Sequence, residues 1–224
     1  MASQSFEATS GKGWVNGMAF SDYKNISQVQ LEFGIRYQEE NFIAVRSVEP
    51  SLHFREEIEF NQKNIDLFSS EAARTDLVIT PILREVYKSF HERYSFWIQK
   101  PIAFNDKLNG TPDYLIATRS VLGKTVLELP LVIVVEAKKN DFEQGWGQCL
   151  AELVAAQKIN DNVDKPIYGI VTDGELWKFG KLTGHTFISS PSGFTVGNLA
   201  ELFGAIHFVF QAVSIDTSPL PLSA

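Results

Sequence analysis

Cysteine is almost absent from this chain of 224 residues: Cys149 stands alone, so no internal disulfide can staple the fold. Uninterrupted apolar sequence is equally scarce. The longest run, Leu129 to Val135, falls far short of the roughly 20 residues that cross a bilayer, so no membrane span is expected. The opening Met-Ala-Ser-Gln-Ser-Phe-Glu has neither a basic segment nor an apolar one, and a cytoplasmic protein is expected. Excess positive charge is missing too: 27 acidic against 20 basic residues give a formal charge of −7, which excludes a protein that coats nucleic acid by bulk attraction. It does not exclude an enzyme acting on nucleic acid, because metal-binding carboxylates add negative charge and positive charge can be local.

Hydrophobic residues at 44%, charged at 21% and aromatic at 12% are ordinary globular usage and exclude disorder, collagen and coiled coil. Ser- and Gly-rich residues 1–18 and the closing Ser-Pro-Leu-Pro-Leu-Ser-Ala read as frayed ends, and residues 1–68 as small α/β or irregular decoration. Val78, Ile79, Ile82, Leu83, Val86 and Phe90 recur at helical spacing, which predicts a helix over roughly 71–92 that Pro81 starts or kinks. Strands follow at 96–104, 113–118 and 131–137, the last almost wholly β-branched or apolar and so central. A helix over 142–159 carries apolar residues on more than one side. Two strands, 167–171 and 176–179, joined through Asp173-Gly174, read as a hairpin with a two-residue turn, and a last helix spans roughly 197–213. The fold class is α/β: a mixed central sheet flanked by helices, with its core over 69–182 and a C-terminal helix and frayed tail over 183–224, all one globular unit.

Two apparent signals carry no chemistry. Leu122-Gly123-Lys124-Thr125 looks like the end of a phosphate-binding loop, but the required first glycine would fall at Thr118 and a strand follows. No nucleotide cofactor is expected. His53, His91, His185 and His207 show neither metal-ligand nor triad spacing.

What remains is Pro112-Asp113 at the head of one strand and Glu136-Ala137-Lys138 at the tail of the next. Such short strings are common by chance, and taken singly Asp113 is a strand-start aspartate and Glu136 and Lys138 a solvated strand end. The register adds weight, because Asp113 and Glu136 are equidistant from a midpoint between Lys124 and Thr125, so an antiparallel hairpin sets them side by side. A wider loop over 119–129, with Pro130 opening the strand, has the same effect. Alternation then points Glu136 and Lys138 to one face. Two carboxylates and an ammonium at a buried strand end are costly unless compensated, and a divalent metal compensates them. Asp113, Glu136 and the backbone carbonyl of Ala137 offer hard oxygen ligands suited to Mg²⁺ or Mn²⁺. Lys138 beside such a metal can stabilise charge on a phosphate.

These residues resemble the PD-(D/E)xK nuclease superfamily, with its restriction-endonuclease-like fold of helix, three strands, helix, strand. The likeness covers roughly 69–180 and is greatest to the nuclease domain of type I restriction motor subunits, through Ser70-Glu71-Ala72, Asp113-Tyr114 and Thr172-Asp173-Gly174. Residues 90–157, with Gly-Trp-Gly-Gln-Cys-Leu-Ala-Glu, are also similar to a group of uncharacterised bacterial proteins. The resemblance implies a Mg²⁺- or Mn²⁺-dependent nuclease acting on DNA, in restriction or repair, with catalytic Asp113, Glu136 and Lys138. It further implies an acidic residue on the first helix, reaching the metal directly or through water. On a helical wheel Glu71 lies in the apolar stripe and Glu85 at its border, which selects Glu71, although a first-turn carboxylate also suits the helix dipole. A second-helix glutamine of that family matches Gln148, although the wheel sets Gln148 opposite the large apolar stripe, beside Gln144, Ala151 and Ala155. Tyr114 and Trp146 continue runs of core residues and are expected to pack. Two alternatives stay open: an inactive module of the same fold that binds a protein partner or itself, which the charge of −7 favours, or a subunit that cuts only with a motor or targeting partner, which the absence of a Walker motif fits.

Overall fold

The computed structural model describes residues 19–44, 46–139 and 141–216. The ends read above as frayed, 1–18 and 217–224, lie outside the described residues. In chain order the elements are α1 (Ile26–Phe33), β1 (Arg36–Glu39), α2 (Leu52–Asn64), α3 (Glu71–Arg74), α4 (Thr80–Tyr87), β2 (Tyr94–Ile98), β3 (Ile102–Ala103), β4 (Asn109–Gly110), β5 (Tyr114–Arg119), β6 (Leu127–Ala137), α5 (Phe142–Ile159), β7 (Ile167–Thr172), β8 (Leu176–Thr183), β9 (Thr186–Thr195) and α6 (Leu199–Asp216).

Seven strands form one mixed sheet in the order β1-β9-β8-β7-β6-β5-β2. The pairs β2–β5, β5–β6, β7–β8 and β8–β9 are antiparallel, whereas β6–β7 and β1–β9 are parallel. Helix α5 makes the crossover that a parallel β6–β7 pair requires. Both faces of the sheet are covered, so Leu131 to Ala137 are buried without interruption. One core layer packs α2, α4 and α6 against Tyr114, Ile116, Ile133, Val135, Tyr168 and Ile170. The opposite layer packs α1 and α5 against Leu115, Ala117, Val134, Ile167 and Val171.

Several expectations are corrected. The first helix is not continuous: α3 passes through a π-helical turn, Thr75–Ile79, into α4. Pro81 lies at the start of α4 and has no N–H for the preceding turn, and the wider π turn accommodates that loss. The strand expected over 96–104 ends at Ile98, because Gln99 adopts a left-handed φ of 48° and Pro101 follows. Ile102 and Ala103 pair instead with Asn109 and Gly110 in a separate two-stranded ladder. Asp173-Gly174-Glu175 is a three-residue turn in which Asp173 Oδ1 accepts from the N–H groups of Glu175 and Leu176. Residues 183–224 are not helix and tail alone, since β9 is a full strand of the sheet and β1 from the N-terminal segment pairs with it.

Helix α6 is more apolar than the uninterrupted runs of the sequence suggest. Val196–Ser214 is long and apolar enough to cross a membrane by length and composition, with a mean hydropathy of 1.3. Half of that stretch is buried inside the domain, where Leu202, Phe203, Ile206, Val209, Phe210 and Val213 pack into the sheet's core.

Candidate functional site

Tyr114 pairs with Val135, Leu115 with Val134 and Ile116 with Ile133, a register centred between Lys124 and Thr125. Continued by one residue, it sets Asp113 opposite Glu136. Toward the loop the register slips and Arg119 pairs with Leu127, with Pro130 inside the irregular stretch where its missing N–H does no harm. Leu122 to Thr125 lie in the exposed β5–β6 loop.

At the strand ends the side chain of Asp113 turns back on β6, and its Oδ2 accepts from the Ala137 N–H at 2.8 Å. Glu136 is 1% exposed. Lys138 Nζ lies 2.9 Å from Glu136 Oε1, an ion pair without hydrogen-bond geometry, so neither carboxylate oxygen has a directed donor. Gly145 on α5 makes room for the lysine stem: a Cβ there would stand 2.7 Å from Val171 Cγ1 and 3.3 Å from Lys138 Cγ. The same strand end is held from the other side, since the Lys138 N–H donates to the Thr172 carbonyl at 2.9 Å.

Burial and the charge of Asp113 push the Glu136 carboxyl up to about 8, against the pull of Lys138. Asp113 is raised as well, first by burial, although the Ala137 N–H and Lys138 hold it back. Burial works to lower Lys138, but the Glu136 charge outweighs it and the ammonium is held above its ordinary value.

A third carboxylate, which the sequence reading missed, lies over this pair. Glu152 on α5 is 0% exposed. Burial raises its carboxyl well above the usual range, and the charges of Glu136 and Asp113 add to the rise. Gln148 Nε2 donates to Glu152 Oε1 at 3.2 Å, while Gln148 Oε1 and Glu152 Oε2 have no partner. Gln148 thus reaches the site, contrary to the wheel. Residues 145 to 157 are all buried, because α5 lies between the sheet and α1: Trp146, Cys149 and Leu153 of the apolar stripe pack on the sheet at Gly169, and Gln148 and Glu152 flank that stripe and are buried as well. The signal available beforehand was the i, i+4 pair Gln148 and Glu152 on a helix with no solvent face.

From the opposite layer, Glu71 opens α3 after Ser70, whose hydroxyl caps the helix by accepting from the Ala73 N–H. Its charge reaches both Asp113 and Lys138, raising each. Glu85 is occupied elsewhere: it accepts from Ser51 Oγ at 2.6 Å and pairs with Lys88. Two contacts anchor this helical segment to the sheet. Thr80 Oγ1 and the Tyr114 hydroxyl share a hydrogen bond of 2.8 Å, and buried Arg74 donates to the Asp173 carbonyl at 2.9 Å. Tyr114 and Trp146 are core residues, the latter against Phe187. His207 packs on Phe90, and burial lowers its imidazole.

Among the described residues, no three His, Cys, Asp or Glu side chains are grouped so as to hold one metal ion. The site therefore has two adjacent strand-end carboxylates with a lysine, a buried carboxylate–amide pair above them, and Glu71 nearby. Comparison of the chain with protein-family models and with curated proteins finds no match.

Proposed function

We propose that the chain is a divalent-metal-dependent nuclease of the restriction-endonuclease-like fold, hydrolysing DNA phosphodiester bonds. The observation that carries this reading is the juxtaposition of Asp113, Glu136 and Lys138 at the paired ends of β5 and β6. The chain order from α3 to β7 supports it once the separate β3–β4 ladder is set aside: helix, three antiparallel strands of the central sheet, helix, parallel strand.

The donor set fits Mg²⁺ or Mn²⁺. Glu136 Oε1 and Oε2 are buried oxygens without a directed donor beside a second carboxylate, and one lysine does not neutralise them. Asp113, Glu136 and the Ala137 carbonyl would hold the ion, with Glu71 reaching it through water. Bound there, the metal would supply Lewis-acid polarisation and a lowered pKa for water. The chain's own residues do the rest. Lys138, whose side chain is 27% exposed, can donate to a phosphate oxygen while its pairing with Glu136 keeps it charged. Asp113, tied to the Ala137 N–H, fixes the spacing of the two strand ends.

A second reading, a nuclease subunit that cuts only with a motor or targeting partner, is favoured by the formal charge of −7, which gives the chain no bulk attraction for DNA. Single-stranded, duplex and branched DNA incubated with the protein in Mg²⁺, Mn²⁺ or EDTA separates these possibilities. Cleavage is expected only with metal, and Lys138→Ala should reduce it by at least about 100-fold, the scale of one preorganised electrostatic group. Cleavage that persists in EDTA refutes the metal-dependent reading. Metal-dependent DNA binding without cleavage is what the second reading expects.

A further inference from the structure

Arg74 is a buried cation without an anion. It is 8% exposed, and among the described residues no carboxylate lies within ion-pair distance of its guanidinium. Nη1 donates to the Asp173 carbonyl at 2.9 Å and Nη2 to the Phe68 carbonyl at 3.3 Å, Cζ lies 5.0 Å from the centre of the Phe68 ring, and Nε has no acceptor. Burying a guanidinium on neutral acceptors carries a desolvation cost that a well-packed apolar side chain avoids, so stability alone does not call for it. What arginine does supply is a rigid fork that holds two separate stretches of backbone at once.

Both sides of that fork lead to the candidate site. On one side α3 is a single turn of four residues, too short to hold its own shape, with Glu71 at its start and Arg74 at its end. The π-helical turn Thr75–Ile79 separates it from α4, so the contact between Thr80 and Tyr114 anchors α4 rather than the turn that bears Glu71. On the other side Asp173 follows Thr172, whose carbonyl accepts from the Lys138 N–H at 2.9 Å. Gly174, with a φ of 91°, brings the β7–β8 turn onto the arginine stem: a Cβ there would stand 3.5 Å from Arg74 Cβ. We infer that Arg74 is a positioning residue: by clamping α3 to the β7–β8 turn, it fixes the Glu71 carboxylate relative to Asp113, Glu136 and Lys138. The inference rests on the nuclease reading, since Glu71 has a task only where a metal binds those strand ends. The guanidinium itself is spent on backbone carbonyls, so Arg74 acts through Glu71, whose charge is felt at both Asp113 and Lys138.

Titration of the full chain with Mn²⁺ at neutral pH, with free Mn²⁺ followed by electron paramagnetic resonance, tests the inference without any nucleic acid. Arg74→Met keeps an apolar stem and removes the fork. It should weaken Mn²⁺ binding by about ten-fold, the lower end of the loss when an outer support of a metal site is removed. In a Glu71→Gln background the same substitution should change the affinity by less than about two-fold, because the carboxylate it positions is gone. A general loosening of the fold weakens both backgrounds alike, and that result overturns the inference while the nuclease reading stands. Wild-type affinity in Glu71→Gln, beside lost binding in Asp113→Asn, has the same meaning. If the wild type binds no Mn²⁺, both fall. Should Arg74→Met fail to fold, Arg74→Lys decides: an ammonium lacks the fork that spans both carbonyls, so affinity equal to the wild type overturns the inference.

Discussion

Replacing Glu136 by glutamine should stabilise the metal-free protein at alkaline pH and scarcely at acid pH. The wild-type carboxyl ionises at about 8 in the folded chain against an ordinary value of 4.5, because it is buried and faces Asp113. Between those values the folded state holds a proton that the unfolded chain releases, so unfolding free energy falls as pH rises from 4.5 to 8. At about 1.4 kcal/mol per pH unit, ionising Glu136 inside the fold costs about 5 kcal/mol by the upper end of that window. Glutamine is nearly isosteric with the protonated acid and removes that cost, and the pull of Lys138 is already contained in the value of about 8. The gain at the alkaline end is then up to about 5 kcal/mol, or about 10–20 °C in melting temperature for a domain of this size.

Thermal melts of both proteins in EDTA, from pH 5 to pH 8.5 at fixed ionic strength, read this directly. The melting advantage of Glu136→Gln should be small at pH 5 and grow steadily toward pH 8.5. Asp113, Glu152, Lys138 and Glu71 all face the same cluster in both proteins, so the difference between the two curves is the quantity to follow. An advantage that is constant across the range, or a variant that becomes relatively less stable as pH rises, would refute the claim that Glu136 is a strained, desolvated carboxylate.

Asp113→Asn should also raise the metal-free melting temperature, by relieving the repulsion at Glu136, and should lose most of the rise that about 10 mM Mg²⁺ gives the wild type, about 3–6 °C if the dissociation constant is about 1 mM. Glu71→Gln should impair cleavage more than Glu85→Gln, since only Glu71 reaches Asp113 and Lys138 while Glu85 is held by Ser51 and Lys88; the reverse order of activities would overturn this assignment. Gly147→Ala should lower the melting temperature by about 3–10 °C, because its methyl would stand 2.5 Å from the Asn25 backbone nitrogen and force α1 away from α5, an overpacking cost of about 1–3 kcal/mol. Circular dichroism melts within a few tenths of a degree of wild type would show that α1 yields without cost.

Elements whose local chemistry agrees with their tertiary setting are legible from sequence alone. Helix α5 runs from Phe142 to Ile159, the bounds its pattern marks, and β6 holds the unbroken apolar run of a strand covered on both faces. Strand β9 is not legible, because Thr186–Thr195 contains Pro191, Gly193 and three serines and reads locally as loop. Its pairing comes from β8, and the register shift between Lys178 and Gly180 leaves Pro191 outside the regular ladder. Strand β1 is harder still: its four residues are all exposed, and only the edge that β9 offers makes it a strand. Both are tertiary decisions that local propensity cannot anticipate.

The candidate site divides along the same line. Asp113, Glu136 and Lys138 could be brought together on paper because a hairpin is a local object, and its far-end register survives the slip around Pro130. Glu152 could not, because an amphipathic wheel assumes one wet face, and α5 has none between Gly145 and Gln157. On such a helix the polar residues, not the apolar ones, carry the orientation. Each buried polar side chain must find a partner, so Gln148 and Glu152 mark the side where polar chemistry is concentrated. That side faces Glu136. A helix that is buried all round and still spends two positions on a glutamine and a glutamate one turn apart accepts a desolvation cost of several kcal/mol, which oily residues of similar size would avoid. What the helix gains for that cost is a carboxyl brought to Glu136 from the side opposite α3.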